Sequence, residues 1–337
     1  MRSFYGNEPI EGVVCPLCLG ATGRVLYKVS AAESAQALIR AAFDNNAYRE
    51  LLGVIGELWS GEDCRQVRCD RCESVFAWPH IAGNARFYNL AYTRHLRYPQ
   101  KRWEFFAAAR FVARDSNGRM LELGAGDGAF VRILRTFGVS ANAINVVEYS
   151  DAARAQLAGI DPGLAVFSSL EQFVDSSQPH SCSHVFAFQV LEHVQQPAEH
   201  LAGFRQILRP GGLVCMAVPN PGRIEANERN GLILDLPPSH ITRFTSQGIA
   251  ALANRTGFEV IHTEVEPLVY REWLFEFLSY HFKRRIQDEA SIQSWMERAL
   301  PWRLATMGGA LMALPAAISH SFEHKEGGSL FCVLQAV

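Results

Sequence analysis

The stretch LELGAGDGAF, residues 121–130, decides the fold of this 337-residue chain. It begins as a short apolar strand, passes through Gly124, Gly126 and Gly128, and continues into the amphipathic run GAFVRILRTFG. Glycine allows a tight turn here and lets the backbone approach a ligand without a Cβ in the way. The next predicted strand, AINVVEY, contains Glu148, whose carboxylate can accept hydrogen bonds from both hydroxyls of a ribose. The two features together predict a nucleotide-type ligand at this turn.

Strands and helices alternate downstream of the glycine turn. We predict further strands at LAVF, SHVFAFQVL and LVCMAVPN, with the helices SDAARAQLAG and PAEHLAGFRQIL beside them. The second helix is expected to stop at Pro210-Gly211-Gly212. This alternation is typical of a doubly wound α/β sheet, in which ligands bind at the carboxyl ends of the strands.

Composition excludes several classes of protein. The chain has 32 Lys and Arg against 34 Asp and Glu, and 48% of its residues are hydrophobic, as in an ordinary globular protein. Intrinsic disorder, a collagen-like fibre and a strongly basic nucleic-acid binder are therefore poor descriptions of the whole chain. The amino-terminal residues lack a signal-peptide core, and no apolar run reaches the roughly 18 residues of a membrane span, so a cytoplasmic location is expected.

The motifs LELGAGDG, VVEYS, FAFQVLEHV and LRPGGLVCMAVPNP follow one another in the order found in class I S-adenosylmethionine-dependent methyltransferases. The chain resembles that superfamily over about residues 85–265, and PPSHITRFTSQGIAALANRTGFEVI looks like the corresponding stretch of its small-molecule members. The resemblance implies a Rossmann-like seven-stranded sheet, with SLFCVLQAV as its last, antiparallel strand, and S-adenosylmethionine as the cofactor. The glycine pattern alone also fits a nicotinamide-dependent oxidoreductase, which stays as an alternative. A binding protein without activity is a third reading.

Residue by residue, the resemblance places the methionine part of the cofactor against the glycine turn and its flanks. The residues implied there are Glu122, Gly124, Ala125, Gly126 and Gly128. It also implies contacts at the ends of the following strands and in the segment before the sheet. Glu148 would hold the ribose, Tyr149 would lie along the adenine, and Gln189 would face the sulfonium. Tyr92 or Tyr98 would close over the carboxylate end. Ser169 lies at the position where the family usually has an acidic residue that contacts the adenine amino group. At this position the sequence departs from the family pattern.

Two histidines lie where an acceptor would bind. His193 follows the fourth strand, and His240 lies in PPSHITRF, a loop expected to cover the acceptor. Methyl transfer from a sulfonium needs alignment of the acceptor and, for a hydroxyl or carbon acid, removal of a proton. Histidine titrates in the right range to act as that base. Either residue could instead have a structural role.

Two Cys-x-x-Cys pairs, Cys15–Cys18 and Cys69–Cys72, predict a structural Zn²⁺ site with four thiolate ligands. The 50 residues between the pairs exceed a typical gap, so we expect a helical insertion over residues 30–63. A redox pair is the alternative, and Cys64 or His80 could replace one ligand. The remaining cysteines, Cys182, Cys215 and Cys332, are predicted to be small residues of the hydrophobic core.

Residues 84–114 carry seven cations and one acid, Glu104, interleaved with tyrosines and Trp103. Such a surface suits an anionic or phosphorylated small acceptor, or single-stranded nucleic acid. The simpler reading is a pair of helices that dock aromatic rings on the sheet. The leading prediction is methylation of a small molecule, such as a sugar nucleotide or a natural-product intermediate, at oxygen or carbon. A zinc-headed RNA base methyltransferase is the alternative.

We divide the chain into five segments, from a zinc-binding amino-terminal module to the last strand of the core. The segments are the zinc module at 1–83, a basic aromatic helical linker or lid at 84–118, the cofactor-binding core at 119–263, a helical acceptor lid or dimer contact at 264–327, and the final strand at 328–337. A homodimer would use the fourth segment.

Overall fold

The computed structural model describes residues 6–39, 44–92, 100–112, 118–229, 235–269 and 326–337, and the single positions 41, 300, 301, 304, 308, 311, 312 and 315. The amino-terminal part is a small antiparallel sheet that carries a helical insertion. Its strands are β1 (Glu8–Glu11), β2 (Thr22–Val29), β3 (Cys64–Cys69) and β4 (Val75–Trp78). The insertion lies between β2 and β3 and contains α1 (Ala31–Leu38) and α2 (Asn45–Leu58).

Two helices lead from this part to a large α/β sheet. They are α3 (Ala85–Tyr92) and α4 (Trp103–Val112). The strands that follow are β5 (Arg119–Leu123), β6 (Ile144–Val147), β7 (Ala165–Phe167), β8 (Cys182–Phe188), β9 (Leu208–Pro219), β10 (Thr242–Arg243), β11 (Phe258–Pro267) and β12 (Glu326–Ala336). The helices among them are α5 (Ala129–Thr136), α6 (Asp151–Ala158), α7 (Leu170–Ser176), α8 (Pro197–Ile207), α9 (Pro221–Arg229) and α10 (Ser246–Arg255).

The large sheet has the order β11-β12-β9-β8-β5-β6-β7 within the described residues. Strands β5 to β9 are parallel, whereas β12 runs antiparallel to both β9 and β11. Leu123 at the end of β5 lies opposite Val147 of β6 and Ala187 of β8. The residues that follow these three strands therefore meet at one edge of the sheet. The predicted seven-stranded, doubly wound architecture is confirmed.

Apolar side chains cover both faces of this sheet, as its winding requires. On one face Phe105 of α4, Phe130 of α5 and Leu157 of α6 are buried. On the other face Phe204 of α8 and Leu252 of α10 are buried in a separate cluster. Strand β8 is buried along its whole length, because helices pack on both of its faces.

Two predicted boundaries differ from the structure. Helix α8 ends at Ile207, and Leu208 already begins β9 by pairing with Cys182, so Pro210-Gly211-Gly212 lies inside the strand. The segment predicted to be helical from residue 264 begins as a strand, because β11 continues to Pro267 beside β12. Between Val269 and Glu326 the structure describes only seven positions, and Leu300 and Leu304 among them are helical.

The amino-terminal sheet is completed by a strand from the other end of the chain. Its order is β1-β2-β3-β4-β10, and Thr242 and Arg243 of β10 pair with Phe76 and Val75 of β4. The apolar cluster on the α8 and α10 face of the large sheet also extends into the cysteine-rich part. The two sheets therefore share one core. Among the described residues, no helix is both long enough and apolar enough to cross a membrane.

Candidate active site and cysteine cluster

The glycine turn after β5 has the left-handed backbone that only glycine adopts readily. The φ angles of Gly124, Gly126 and Gly128 are +74°, +55° and +79°. A Cβ on Gly124 would also lie 2.6 Å from Cγ2 of Val190, so a side chain there would displace the residue that follows Gln189. The turn therefore lies against the loop after β8, at the carboxyl edge of the sheet.

Glu148, the first residue after β6, is bound by this turn. Its Oε2 accepts a hydrogen bond from Gly126 N, and its Oε1 accepts one from Ser150 N, both at 2.8 Å. Burial raises the pKa of this carboxyl, and the two backbone N–H groups oppose that rise. The carboxylate is thus fixed in orientation while each oxygen keeps a free lone pair. Such a group can accept hydrogen bonds from two neighbouring hydroxyls.

Glu122, on β5, lies beneath the same turn and has an unsatisfied oxygen. It is 3% exposed, and its Oε2 has no hydrogen-bond partner among the described residues. Burial, followed by repulsion from Glu148 and Asp127, raises the pKa of this carboxyl well above its usual range. A buried, unpartnered carboxyl is costly, and a ligand that donates hydrogen bonds or carries a positive charge would relieve that cost.

Gln189 ends β8 in a left-handed conformation with φ of +55°. Its Nε2 donates weakly to Ser329 Oγ at 3.3 Å and to Glu104 Oε1 at 3.5 Å, and Ser329 Oγ donates to Glu104 Oε2 at 3.3 Å. Glu104 is buried and also lies 3.6 Å from Arg102 Nη1. Neither Glu104 nor Ser329 was predicted to belong to the site. Glu104 is the single acid within the basic residues 84–114, and this isolated negative charge was the feature of the sequence that could have indicated its role.

The adenine side is less completely described. Tyr149 follows Glu148 and is 54% exposed, so its ring is available to a ligand. Ser169 caps helix α7, and its Oγ accepts a hydrogen bond from Gln172 N at 3.2 Å. Tyr98 and the side chain of Tyr92 lie outside the described residues.

The two predicted histidines lie side by side. His193 is in a short helical turn, Leu191–His193, after β8, and His240 comes just before β10. Their ring centroids are 4.6 Å apart with the planes at 83°. The backbone holds the two segments together, because Ile241 N donates to Glu192 O at 2.9 Å. Each histidine was predicted separately to lie near the acceptor. The structure shows that their two rings are in contact.

The Nδ1 atom of each ring faces an oxygen. His193 Nδ1 is 2.7 Å from the carbonyl oxygen of Ser239, and His240 Nδ1 is 2.9 Å from Asp235 Oδ1. Burial lowers the pKa of His193 to about 3. Burial alone would lower the pKa of His240 as well, but the ion pair with Asp235 raises it. Asp235 was missed by the sequence analysis, although it lies only five residues before His240 in LDLPPSH.

A buried ion pair supports the segment that carries His240. Arg243 Nη1 donates to Glu228 Oε2 at 3.1 Å, Nη2 donates to Glu228 Oε1 at 2.6 Å, and Tyr27 Oη of β2 donates to Glu228 Oε1 at 2.5 Å. Arg243 Nη2 also donates to Tyr27 Oη and to the carbonyl of Asp235. Bidentate pairs of this kind fix geometry strongly. The amino-terminal sheet thereby helps to position the histidine loop.

The four cysteines of the two Cys-x-x-Cys pairs converge in one buried cluster. Their Sγ atoms all lie within 4.8 Å of one another, with Cys15 to Cys72 at 3.7 Å and Cys18 to Cys69 at 3.5 Å. Tetrahedral coordination at a Zn–S distance of ~2.3 Å requires S···S separations of about 3.8 Å. These separations are much longer than a disulfide bond of about 2.05 Å. The cluster therefore has the dimensions of a four-thiolate metal site.

The two Cys-x-x-Cys turns have equivalent backbone hydrogen bonds. Leu19 N donates to Cys15 O and Glu73 N to Cys69 O, each at 3.0 Å. The backbone N–H groups of Gly20 and Arg71 lie 3.4 Å from the sulfurs of Cys18 and Cys69 respectively. Such N–H groups stabilise thiolate sulfur. Each pair is thus a tight turn that points two sulfurs at a common centre.

The other candidate ligands lie elsewhere. The Sγ atom of Cys64 faces the carbonyl oxygens of Arg65 and Pro79, and Nε2 of His80 is 3.0 Å from Oγ1 of Thr242. Neither residue belongs to the cysteine cluster. The suggestion that one of them replaces a cysteine ligand has no support in this geometry.

The second cysteine pair is joined to helix α10. Thr245 caps that helix, and its Oγ1 donates to the carbonyl oxygen of Cys72 at 2.6 Å. A Cβ on Gly248 would lie 2.1 Å from Oγ of Ser74, so glycine allows the helix to approach the cysteine turn this closely. The cluster is therefore attached directly to the segment that follows the histidine loop.

The described arginines of the basic stretch are paired with acids. Arg86 lies 3.5 Å from Glu57 of α2, and Arg110 forms an ion pair with Glu264 of β11. Arg102 pairs with Glu104. Arg94, Arg97 and Arg114 lie outside the described residues. Where it is described, the stretch forms two helices packed on their neighbours, as the simpler reading has it.

Comparison with known proteins gives one family. Residues 90–263, just over half of the chain, match a family described as Methyltransferase domain. The chain is 29% identical over 124 residues to the ubiquinone biosynthesis O-methyltransferase of Caulobacter sp. strain K31, a match that covers 34% of this chain. The match covers 48% of the Caulobacter protein, so the chain spans about half the length of this curated relative.

Solved structures are similar to the chain at low identity. An S-adenosylmethionine-dependent methyltransferase from Archaeoglobus fulgidus has a TM-score of 0.47 at 13% identity, with 74% of this chain and 99% of that chain covered. An S-adenosylmethionine-dependent methyltransferase from Mesorhizobium loti has a TM-score of 0.43 at 16% identity, with 70% of this chain and 100% of that chain covered.

Proposed function

The chain belongs to the family of S-adenosylmethionine-dependent methyltransferase domains, and we propose that it methylates a small molecule at oxygen or carbon. A sugar nucleotide or a natural-product intermediate is the class of acceptor we favour. The Caulobacter relative is named as an O-methyltransferase, which favours a hydroxyl acceptor. The observation that carries the proposal is the fixed carboxylate of Glu148 beside the glycine turn, together with the histidine pair formed by the turn after β8 and the loop before β10.

The cofactor would lie along the carboxyl edge of β5, β6 and β8. Glu148 would accept the ribose hydroxyls, and Tyr149 would cover the adenine, with Ser169 at its edge. The unpartnered oxygen of Glu122 would face the positively charged methionine end, against the backbone of Gly124, Ala125, Gly126 and Gly128. Gln189, held by its contacts to Glu104 and Ser329, would line the space beside the sulfur. We keep Tyr92 and Tyr98 as proposed contacts of the carboxylate end.

The bound cofactor supplies an activated methyl group on a sulfonium. The acceptor atom forms its new bond to the methyl carbon while the sulfur–carbon bond breaks, and a hydroxyl or carbon acceptor also has to lose a proton. His193 and His240 would receive that proton at Nε2, because their Nδ1 atoms lie 2.7 and 2.9 Å from an oxygen. The remaining task of the chain is alignment, which can supply about 7–11 kcal/mol of the barrier.

Replacing His240 with alanine is expected to lower kcat about a hundredfold and to change the affinity for S-adenosylhomocysteine less than threefold. The reason is that the ring touches the acceptor side, and general acid–base groups typically contribute about 10²–10⁴ to the rate. Methyl transfer to the best acceptor and calorimetric titration would measure the two quantities. His200→Ala, a partly exposed histidine on α8, is the control. A variant that loses cofactor affinity but keeps kcat would move His240 to the cofactor side.

We also propose that Cys15, Cys18, Cys69 and Cys72 hold one structural Zn²⁺. Four buried thiols at these separations occupy all four positions of a tetrahedral ion and leave no open position for a substrate. The ion would join the loop between β1 and β2 to the end of β3 and the turn after it, next to the cap of α10. It would stabilise the amino-terminal part and take no part in chemistry.

RNA binding is expected to be weak. The three described arginines Arg86, Arg102 and Arg110 are occupied by acids, so few free cations remain on this surface of the described residues to neutralise phosphates. Fluorescence anisotropy with a labelled single-stranded RNA should show little binding at 150 mM salt, because phosphate contacts weaken steeply with salt. Tight binding at that salt concentration would instead favour the RNA-methylating alternative.

A further inference from the structure

A second group of metal-ligating side chains lies on the acceptor side, apart from the cysteine cluster. Glu192, His193 and His240 each offer one ligand atom, and these atoms lie within 4.8 Å of one another. His193 Nε2 is 3.9 Å from Glu192 Oε1. Two imidazoles and one carboxylate are the ligand set of many mononuclear metal sites. The three residues come from two segments, the turn after β8 and the loop before β10.

Nδ1 of each ring lies close to an oxygen, an arrangement that is common in metal-bound histidines. A ligating histidine normally donates its second N–H to a carboxylate or a backbone carbonyl, which fixes the tautomer and makes the other nitrogen more basic. Here Nδ1 of His240 faces the carboxylate of Asp235 at 2.9 Å, and Nδ1 of His193 faces the carbonyl of Ser239 at 2.7 Å. The ligand atoms are then Nε2 of His193, which faces Glu192, and one ring nitrogen of His240.

Glu192 is the independent observation that points to a ligand. It is 1% exposed, and within the described part of the chain neither carboxylate oxygen has a hydrogen-bond partner from another residue. A buried carboxylate without partners is strongly unfavourable, so such groups are normally paired with a charge or bound to a metal. Oε1 of Glu192 lies 3.9 Å from Nε2 of His193. A cation at that point would satisfy all three side chains at once.

We propose that Glu192, His193 and His240 bind one divalent transition-metal ion, with the remaining coordination positions open to the methyl acceptor. Imidazole nitrogen favours ions such as Mn²⁺, Fe²⁺ or Zn²⁺ over Mg²⁺ and Ca²⁺, which prefer oxygen ligands. Metal–ligand bonds of ~2.0–2.2 Å would draw the three atoms together by about 1 Å, a shift that side-chain rotation can supply.

The catalytic use of this ion rests on the function proposed above, whereas its binding does not. An acceptor hydroxyl bound to the ion would have a lowered pKa and would lose its proton to solvent water. Its oxygen would then form the bond to the methyl carbon as the sulfur–carbon bond breaks. In the metal-bound protein the histidines act as ligands, and His240 is a base only where the ion is absent. A hydroxyl with a neighbouring oxygen donor, as in a vicinal diol or a catechol, fits two open positions.

The test is a titration of the full-length, zinc-loaded protein with Mn²⁺, followed by electron paramagnetic resonance of the free ion. Mn²⁺ does not displace Zn²⁺ from four thiolates, so the cysteine cluster stays filled. We expect one Mn²⁺ per chain. Glu192→Gln should weaken binding at least tenfold, and Asp235→Asn, which changes only the partner of a ligand, about tenfold to a hundredfold. His200→Ala, on the surface of α8, should bind Mn²⁺ as the unchanged protein does.

Folding and cofactor binding are checked in the same samples. Each variant should keep its affinity for S-adenosylhomocysteine, which shows that the core is intact. Absence of bound Mn²⁺ in the unchanged protein, or binding that survives Glu192→Gln, would overturn the metal site and leave the proposed methyl transfer standing. Mn²⁺ binding without S-adenosylhomocysteine binding would have the opposite meaning, because the metal site would stand while the proposed function failed.

Discussion

Replacing Glu148 with alanine is expected to weaken binding of S-adenosylhomocysteine by about 10²–10⁴. The carboxylate is held by the backbone N–H groups of Gly126 and Ser150, so its free lone pairs point in fixed directions toward the proposed ribose. A hydrogen bond to a charged group contributes about 1.5–3 kcal/mol, and two such bonds would be lost. The glycine turn would also lose the partner of Gly126 N.

Isothermal titration calorimetry with S-adenosylhomocysteine measures this loss directly. Glu148→Gln keeps the shape and one acceptor oxygen, so it should fall between the alanine variant and the unchanged protein. Asp151→Asn, an exposed acid three residues away, is the matched control and should bind normally. Unchanged affinity in Glu148→Ala would mean that the cofactor lies elsewhere. A parallel titration with NADH should show no binding, and tight NADH binding would revive the oxidoreductase alternative.

Replacing Cys15 or Cys72 with serine is expected to abolish the bound zinc and to destabilise the amino-terminal part of the chain. Each variant removes one of four thiolates from a buried cluster, and structural zinc contributes about 10–16 kcal/mol in small zinc-binding peptides. Elemental analysis of the purified protein should find about one zinc per chain, and close to none in either variant. Thermal unfolding should begin at a lower temperature in both variants.

Cys64→Ser is the matched control for the cysteine variants. Cys64 is buried at the start of β3, in the same small sheet, but its sulfur faces backbone carbonyls and lies outside the cluster. It should keep one zinc per chain. Equal loss of zinc from Cys64→Ser and Cys15→Ser would show that the measured effect is general unfolding, and a full complement of zinc in Cys72→Ser would contradict the proposed ligand set.

Local signals were enough to predict the alternating strands and helices of the large sheet and the position of its glycine turn, whereas seven strands with an antiparallel last strand were implied by the family resemblance. Each strand is a short apolar run, and the turn residues Gly124, Gly126 and Gly128 all have the positive φ that their identity allows. Boundaries were harder to predict. Helix α8 ends at Ile207 because Leu208 pairs with Cys182, a contact 26 positions away in the chain that no helical periodicity reveals.

The interactions within the site were not predictable from a single sequence. The approach of Asp235 to His240, of Glu104 to Gln189, and of the two histidines to each other depends on where loops cross after the sheet has formed. Such pairings join residues with no shared periodicity. The four-cysteine cluster is the exception among long-range contacts, because a spacing of two residues within each pair already carries the chemistry of the ligand set.

Because β10 belongs to the amino-terminal sheet, that sheet cannot be removed or exchanged without affecting the segment around His240. A chain shortened to begin after β4 would leave Thr242 and Arg243 without their neighbouring strand, and the Arg243–Glu228 pair without Tyr27. A chain shortened in this way would lose the support of the loop that carries His240 along with the cysteine cluster. The cysteine-rich part therefore cannot be exchanged alone. A chimera of two relatives would have to include β10 and the loop that carries His240.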